Sequence, residues 1–122
     1  KQVNDNYGHK TGDLVLQESA ALFEQSTRDI DLVCRYGGEE IMIIMPGLHK
    51  DQAIEAAERL RLLTQNHVFQ GNQPVHITIS IGITFLSKEN HTENSLVTHA
   101  DKAVYLAKNS GRNCVRWLPD YD

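Results

Sequence analysis

The tetrapeptide Gly37-Gly38-Glu39-Glu40 sets two adjacent carboxylates directly behind a pair of glycines and ahead of the apolar run Ile41 to Met45. Carboxylate oxygens are what a hard divalent cation selects, and a main chain without Cβ lets a nucleotide phosphate come close. The same residues also make an ordinary solvated hairpin turn, and alone they do not choose between the two. A second segment, Asn4-Asp5-Asn6-Tyr7-Gly8-His9-Lys10-Thr11-Gly12-Asp13, offers an amide and carboxylates in a polar setting. That pairing suits guanine, whose N1–H and N2–H₂ donate and whose O6 accepts. It equally suits a turn leading into a helix. A third, Lys108-Asn109-Ser110-Gly111-Arg112-Asn113, spaces two cations four apart. They could grip a polyphosphate or simply complement the negative end of a helix.

Each segment needs an element to hold it. Asn4 to Gly12 reads as a surface loop, and Asp13 opens a helix whose apolar stripe is Leu16, Ala20 and Phe23, flanked by Val15 and Leu22. Leu32 to Tyr36 and Ile41 to Met45 read as the two strands of a hairpin, central and buried, with Gly37-Gly38 supplying positive φ at the turn. A helix follows over roughly Asp51 to Asn66, with Ala53, Ala57 and Leu60 inward and Ile54 and Leu63 beside them. From Val75 to Phe85 every odd position is apolar and every even one is small or polar, which predicts a strand with one face on the core. Asn94 is the expected cap of a last helix, with Leu96, Ala100, Ala103 and Ala107 buried and Gly111 as its stop; Cys114 to Leu118 is a final strand. The order is α-β-β-α-β-α-β, an α+β domain with helices on a mostly antiparallel sheet.

The 122 residues are 40% apolar, enough for one domain and one core. A net charge of −4 excludes a general basic field for a nucleic acid polymer. No apolar run reaches membrane-spanning length, so no membrane contact is expected of this segment, although a parent protein could be anchored upstream. Cys34 and Cys114 sit in apolar runs and are expected as buried, reduced thiols, which suits the cytoplasm. The six histidines do not cluster at ligand spacing and read as surface residues, His9 apart.

Taken together and in order, Val3-Asn4-Asp5-x-x-Gly8-His9-x-x-Gly12-Asp13, Arg35-Tyr36-Gly37-Gly38-Glu39-Glu40, the Thr78-x-Ser80-x-Gly82 strand and Ala100-Asp101-x-Ala103-x-Tyr105-x-Ala107-Lys108-x-x-Gly111-Arg112-Asn113 closely resemble the diguanylate cyclase (GGDEF) family. The resemblance spans nearly the whole chain. It implies a ferredoxin-like, palm-like antiparallel sheet, and an enzyme that condenses two GTP into cyclic di-GMP with release of pyrophosphate. It implies Mg²⁺ or Mn²⁺ as cofactor, a homodimer for catalysis, and a sensor or regulatory domain upstream.

By matching positions, Asn4 and Asp13 would read guanine, with His9 in the same loop, and Gly37 and Gly38 would lie along the phosphates. Glu39 would hold the metal, and Glu39 or Glu40 would assist deprotonation of the attacking hydroxyl. Lys1 would offset transition-state charge, and Lys108 and Arg112 would contact the polyphosphate. Arg28-Asp29-Ile30-Asp31 resembles the family's Arg-x-x-Asp inhibitory site for the product, with Arg59 a secondary contact. Two departures stand out. Ile41 replaces the usual Phe, and the family's first strand, with its metal-binding Asp, would fall before Lys1. Three rival readings are a degenerate domain that binds cyclic di-GMP through Arg28 and Asp31 without turnover, a GTP-sensing or dimerisation module without chemistry, and a different phosphotransferase of similar palm-like fold. The intact Gly-Gly-Glu-Glu weighs against the first.

Overall fold

The computed structural model describes residues 9–69, 74–88 and 90–118. Its elements are α1 (His9–Ser26), β1 (Leu32–Arg35), β2 (Ile41–Ile44), α2 (Lys50–Asn66), β3 (Ile81–Ile83), α3 (Glu93–Asn109) and β4 (Val115–Trp117), in the order expected for an α+β domain. They fall into two compact units. One holds α1, the β1–β2 hairpin and Asn66–Ile77; the other holds nearly all of α2 with β3, α3 and β4.

In the first unit, α1 starts at His9, so His9 to Gly12 are helical rather than loop. Its inward line is Gly12, Val15, Ser19 and Phe23, which corrects the expected Leu16–Ala20–Phe23 stripe. The reason lies across the core. Phe69 and Val75 are fully buried and pack with Val15, so the helix is rotated by about one residue to meet them. Phe69 and Val75 also exchange backbone hydrogen bonds at 2.9 and 3.0 Å.

β1 and β2 pair antiparallel in the register Leu32↔Ile44 to Arg35↔Ile41. Contrary to expectation they are not buried on both faces: Leu32 is 61% and Ile44 48% exposed. Val33 and Ile43 are half-buried, and Cys34 is exposed rather than buried. Side chains alternate across a pleat, and α1 packs against β1, which covers one face of the strand at most.

In the second unit, α2 buries Ala56, Ala57, Leu60 and Thr64, while Ala53 and Ile54 are half-buried and Leu63 is exposed. Thr64 tolerates burial because its hydroxyl donates to the Leu60 carbonyl at 2.8 Å. β3 and β4 pair in parallel, Ile81↔Val115 to Ile83↔Trp117, with α3 as the crossover that a parallel connection requires. Only Ile81–Ile83 of the expected Val75–Phe85 strand is in a ladder. Alternation specifies a face, but a ladder also needs a partner, and residues 76–80 and 84–85 find none among the described residues.

α3 is capped by Thr92, not Asn94: the Ser95 amide donates to the Thr92 hydroxyl at 3.0 Å. Gly111 has φ +105°, and Arg112 and Asn113 follow at +62° and +46°, a left-handed exit that ends the helix where the glycine predicts. The fully buried Asn90 fastens the preceding loop. Its amide donates to the Thr84 hydroxyl and Phe85 carbonyl, both at 2.9 Å, and its carbonyl oxygen accepts from Ser95. His99, half-buried on α3, lies 3.1 Å from that same oxygen, so it is part of a packed network rather than a surface residue. Among the described residues no helix is long and apolar enough to cross a membrane.

Candidate active site

The turn between β1 and β2 is five residues long and is closed on one carbonyl. The amides of Tyr36 and Gly37 donate to the Glu40 oxygen at 2.9 and 3.4 Å. A loop of that length does not need the positive φ of a two-residue hairpin turn, and neither Gly37 nor Gly38 has one, which corrects the expectation. A Cβ at Gly38 would meet nothing within 4 Å, and one at Gly37 would only reach ordinary contact with the Glu40 side chain at 3.8 Å. Neither backbone strain nor packing explains the glycines. Their effect is to leave the main chain of the turn uncovered.

Glu39 and Glu40 are exposed at this turn. Among the described residues no three of His, Cys, Asp or Glu converge on a point that could hold a metal. Two neighbouring carboxylates still fit Mg²⁺, which takes few protein ligands and completes its octahedron with water and phosphate oxygens.

The structure ties this turn to one of the expected guanine-reading residues. The Arg35 Nη2 donates to the Gly38 carbonyl at 3.1 Å and lies 3.7 Å from Asp13 Oδ1 on α1. Asp13 and Gly38 therefore share one guanidinium. Sequence reasoning missed Arg35, because a basic residue at a strand end reads as solvated; its place one residue before the turn is the signal that could have found it. Lys1 and Asn4 lie outside the described residues, as does the side chain of His9. Lys108 and Arg112 belong to the second unit and are exposed, Lys108 in the last turn of α3 and Arg112 just beyond it, its amide donating to the Ala107 carbonyl at 3.0 Å.

Arg28 and Asp31 are brought together closely. The Arg28 Nη2 and Nε donate to Asp31 Oδ1 at 2.7 and 3.1 Å, and the Arg28 amide donates to Oδ2 at 2.8 Å. Nη2 also reaches the Pro46 carbonyl at 2.6 Å, a contact with no signal in the sequence. The Asp31 side chain is only 2% exposed, whereas Arg28 keeps 41% open. Hydrogen bonds from the Arg28 side chain hold the Asp31 carboxyl below the usual range, against the opposing effect of burial. Arg59, the expected secondary contact, is exposed on α2 in the second unit.

Comparison with known proteins adds to this geometry. The family model "Diguanylate cyclase, GGDEF domain" matches residues 1–114. The response regulator PleD of Caulobacter vibrioides is 43% identical over 118 residues, covering 94% of this chain and 26% of PleD. Diguanylate cyclase A of Treponema denticola is 37% identical over 116 residues, covering 94% of this chain and 31% of that protein. The chain thus spans about a quarter to a third of these relatives. The crystal structure of the GGDEF domain of DgcB from Caulobacter crescentus in complex with c-di-GMP superposes with a TM-score of 0.82 at 29% identity, covering 94% of this chain and 69% of that one.

Proposed function

On the premise that the chain belongs to the GGDEF diguanylate cyclase family, we propose that it binds GTP and condenses two molecules into cyclic di-GMP, as one half of a homodimer driven by a sensor or regulatory domain elsewhere in the protein. In each step the 3′-hydroxyl of one GTP attacks the α-phosphate of the other. The new P–O bond forms as the bond to pyrophosphate breaks, and the hydroxyl proton passes to a carboxylate at the turn. Positioning and charge neutralisation carry most of such a reaction.

Asn4 and Asp13 hold the guanine, with His9 from the same segment. Gly37 and Gly38 present bare main chain to the phosphates. Lys108 and Arg112 hold the polyphosphate, and Lys1 offsets charge as the leaving group departs. Glu39 would hold Mg²⁺ or Mn²⁺, which when bound neutralises phosphate charge. Glu39 or Glu40 receives the proton. Product returning to Arg28 and Asp31 inhibits: the open edge of the Arg28 guanidinium faces a phosphate or guanine while Asp31 fixes its plane, and Arg59 adds a secondary contact.

The observation that carries this reading is the Gly37-Gly38 turn, whose bareness nothing in the backbone conformation or packing demands. It can therefore be tested without unfolding the hairpin. Gly38→Val is expected to melt with wild type yet to release no pyrophosphate from GTP and Mg²⁺, because its side chain occupies the approach. Wild-type turnover in that variant would remove the phosphates from this turn.

A further inference from the structure

We propose that Arg35 is a positioning residue that couples base recognition to the phosphate turn; this rests on the cyclase reading and extends it to a residue outside the expected site. One nitrogen, Nη2, touches two segments 25 residues apart: the Gly38 carbonyl at 3.1 Å and the Asp13 carboxylate at 3.7 Å. Arg35 stands opposite Ile41 at the last pair of the β1–β2 ladder, where the strand fixes its backbone just before the turn begins. A guanidinium suits the task because its donors are held in a rigid planar fork. Among the described residues only Oδ1 of Asp13 is engaged, which leaves Oδ2 to accept from the guanine N2–H₂.

The arrangement has a direct consequence. Neutralising half of Asp13 orients its remaining oxygen, and the same cation pulls the Gly38 carbonyl away from where phosphate oxygens would lie. A carbonyl facing a phosphate repels it, so anchoring that oxygen on Arg35 favours the nucleotide. Guanine seated on Asp13 and phosphates seated on the turn then hold each other in register through one side chain. A solvated ion pair of this exposure, taken alone, contributes little. Arg35 matters through what it orients.

The test uses the full-length protein with Arg35→Ala and Arg35→Lys, measuring kcat and KM for GTP and for ITP, which lacks the N2 amino group. Arg35→Ala is expected to raise KM for GTP about fivefold and to shrink the preference for GTP over ITP by a similar factor, about what one weak charge-assisted contact supplies. Arg35→Lys, able to reach one partner but not both, should fall between. Direct GTP titration and thermal melting of each variant separate lost affinity from lost fold. If wild type turns over GTP and both variants keep its KM and its GTP/ITP ratio, the inference fails while the cyclase reading stands. It fails in the same way if both variants change kcat alone. A wild type that binds GTP but makes no product overturns the reading and this inference with it.

Discussion

Substituting Gly82 by alanine tests the packing that carries α3, and with it Lys108 and Arg112. Gly82 lies in the middle of β3 with α3 laid against it. A Cβ there would sit 2.6 Å from the Ala100 carbonyl oxygen and 2.7 Å from Val104 Cγ2, and closer still to the Val104 amide nitrogen. Two of those neighbours are backbone, which cannot rotate away, so α3 would have to back off by roughly 1 Å along its contact with β3. Overpacking of this kind costs about 1–3 kcal/mol. With two of the three crowded atoms belonging to the α3 backbone, Gly82→Ala falls at the upper end, less roughly 0.5–1 kcal/mol that alanine regains in the unfolded chain. A net loss of about 2 kcal/mol lowers the urea midpoint by about 1 M at a slope of about 2 kcal/mol/M. The assay is urea denaturation followed by circular dichroism, with Gly38→Ala, where the new methyl meets open space, as the control expected to match wild type. If Gly82→Ala unfolds at the wild-type midpoint with an unchanged slope, the close seat of α3 on β3 is wrong.

Asn90→Ala removes a buried amide that serves Thr84, Phe85 and Ser95 at once. It is expected to cost about 2–4 kcal/mol, read in the same urea titration, because three half-buried partners lose their hydrogen bonds together without a replacement. Acid sensitivity should follow Asp31. Its carboxyl is held below the ordinary range in the folded protein, so the stability it adds is complete above about pH 4 and drains away as the pH falls through the lower folded value. Asp31→Asn should therefore be less stable at neutral pH and lose less on acidification; parallel pH profiles for the two proteins would count against the Arg28–Asp31 geometry. Finally, Arg28→Ala is expected to keep its rate when cyclic di-GMP is added, whereas wild type slows; equal slowing would remove product inhibition from this site.

Much of the fold was legible because local signals were unambiguous. Gly111 ends α3 where a helix stop was read, and the hairpin turns where Gly37 and Gly38 stand. The misses have physical causes. Thr92 and Asn94 are both good caps, and only the direction of the Ser95 amide decides between them. The inward face of α1 depends on Phe69 and Val75, more than 40 residues away, so its spacing alone pointed to Leu16 one residue too far round. Parallel pairing of β3 with β4 is a contact across a whole helix and leaves no mark on either strand's alternation. At the site, Glu39, Glu40 and Asp13 were singled out by the resemblance of their motifs to the family, and the family match bears out that resemblance. The Arg35 bridge and the Pro46 carbonyl under Arg28 are properties of folded geometry, and no residue type announces them.

The central claim is that the Gly-Gly-Glu-Glu turn makes cyclic di-GMP. Its most direct test is mass-spectrometric identification of the product formed from GTP and Mg²⁺ by the full-length protein, beside Glu40→Gln at matched stability. Cyclic di-GMP from wild type and none from Glu40→Gln is the expected result. A folded, dimeric wild type that binds GTP and forms no cyclic di-GMP would contradict the account and leave a nucleotide-binding module in its place.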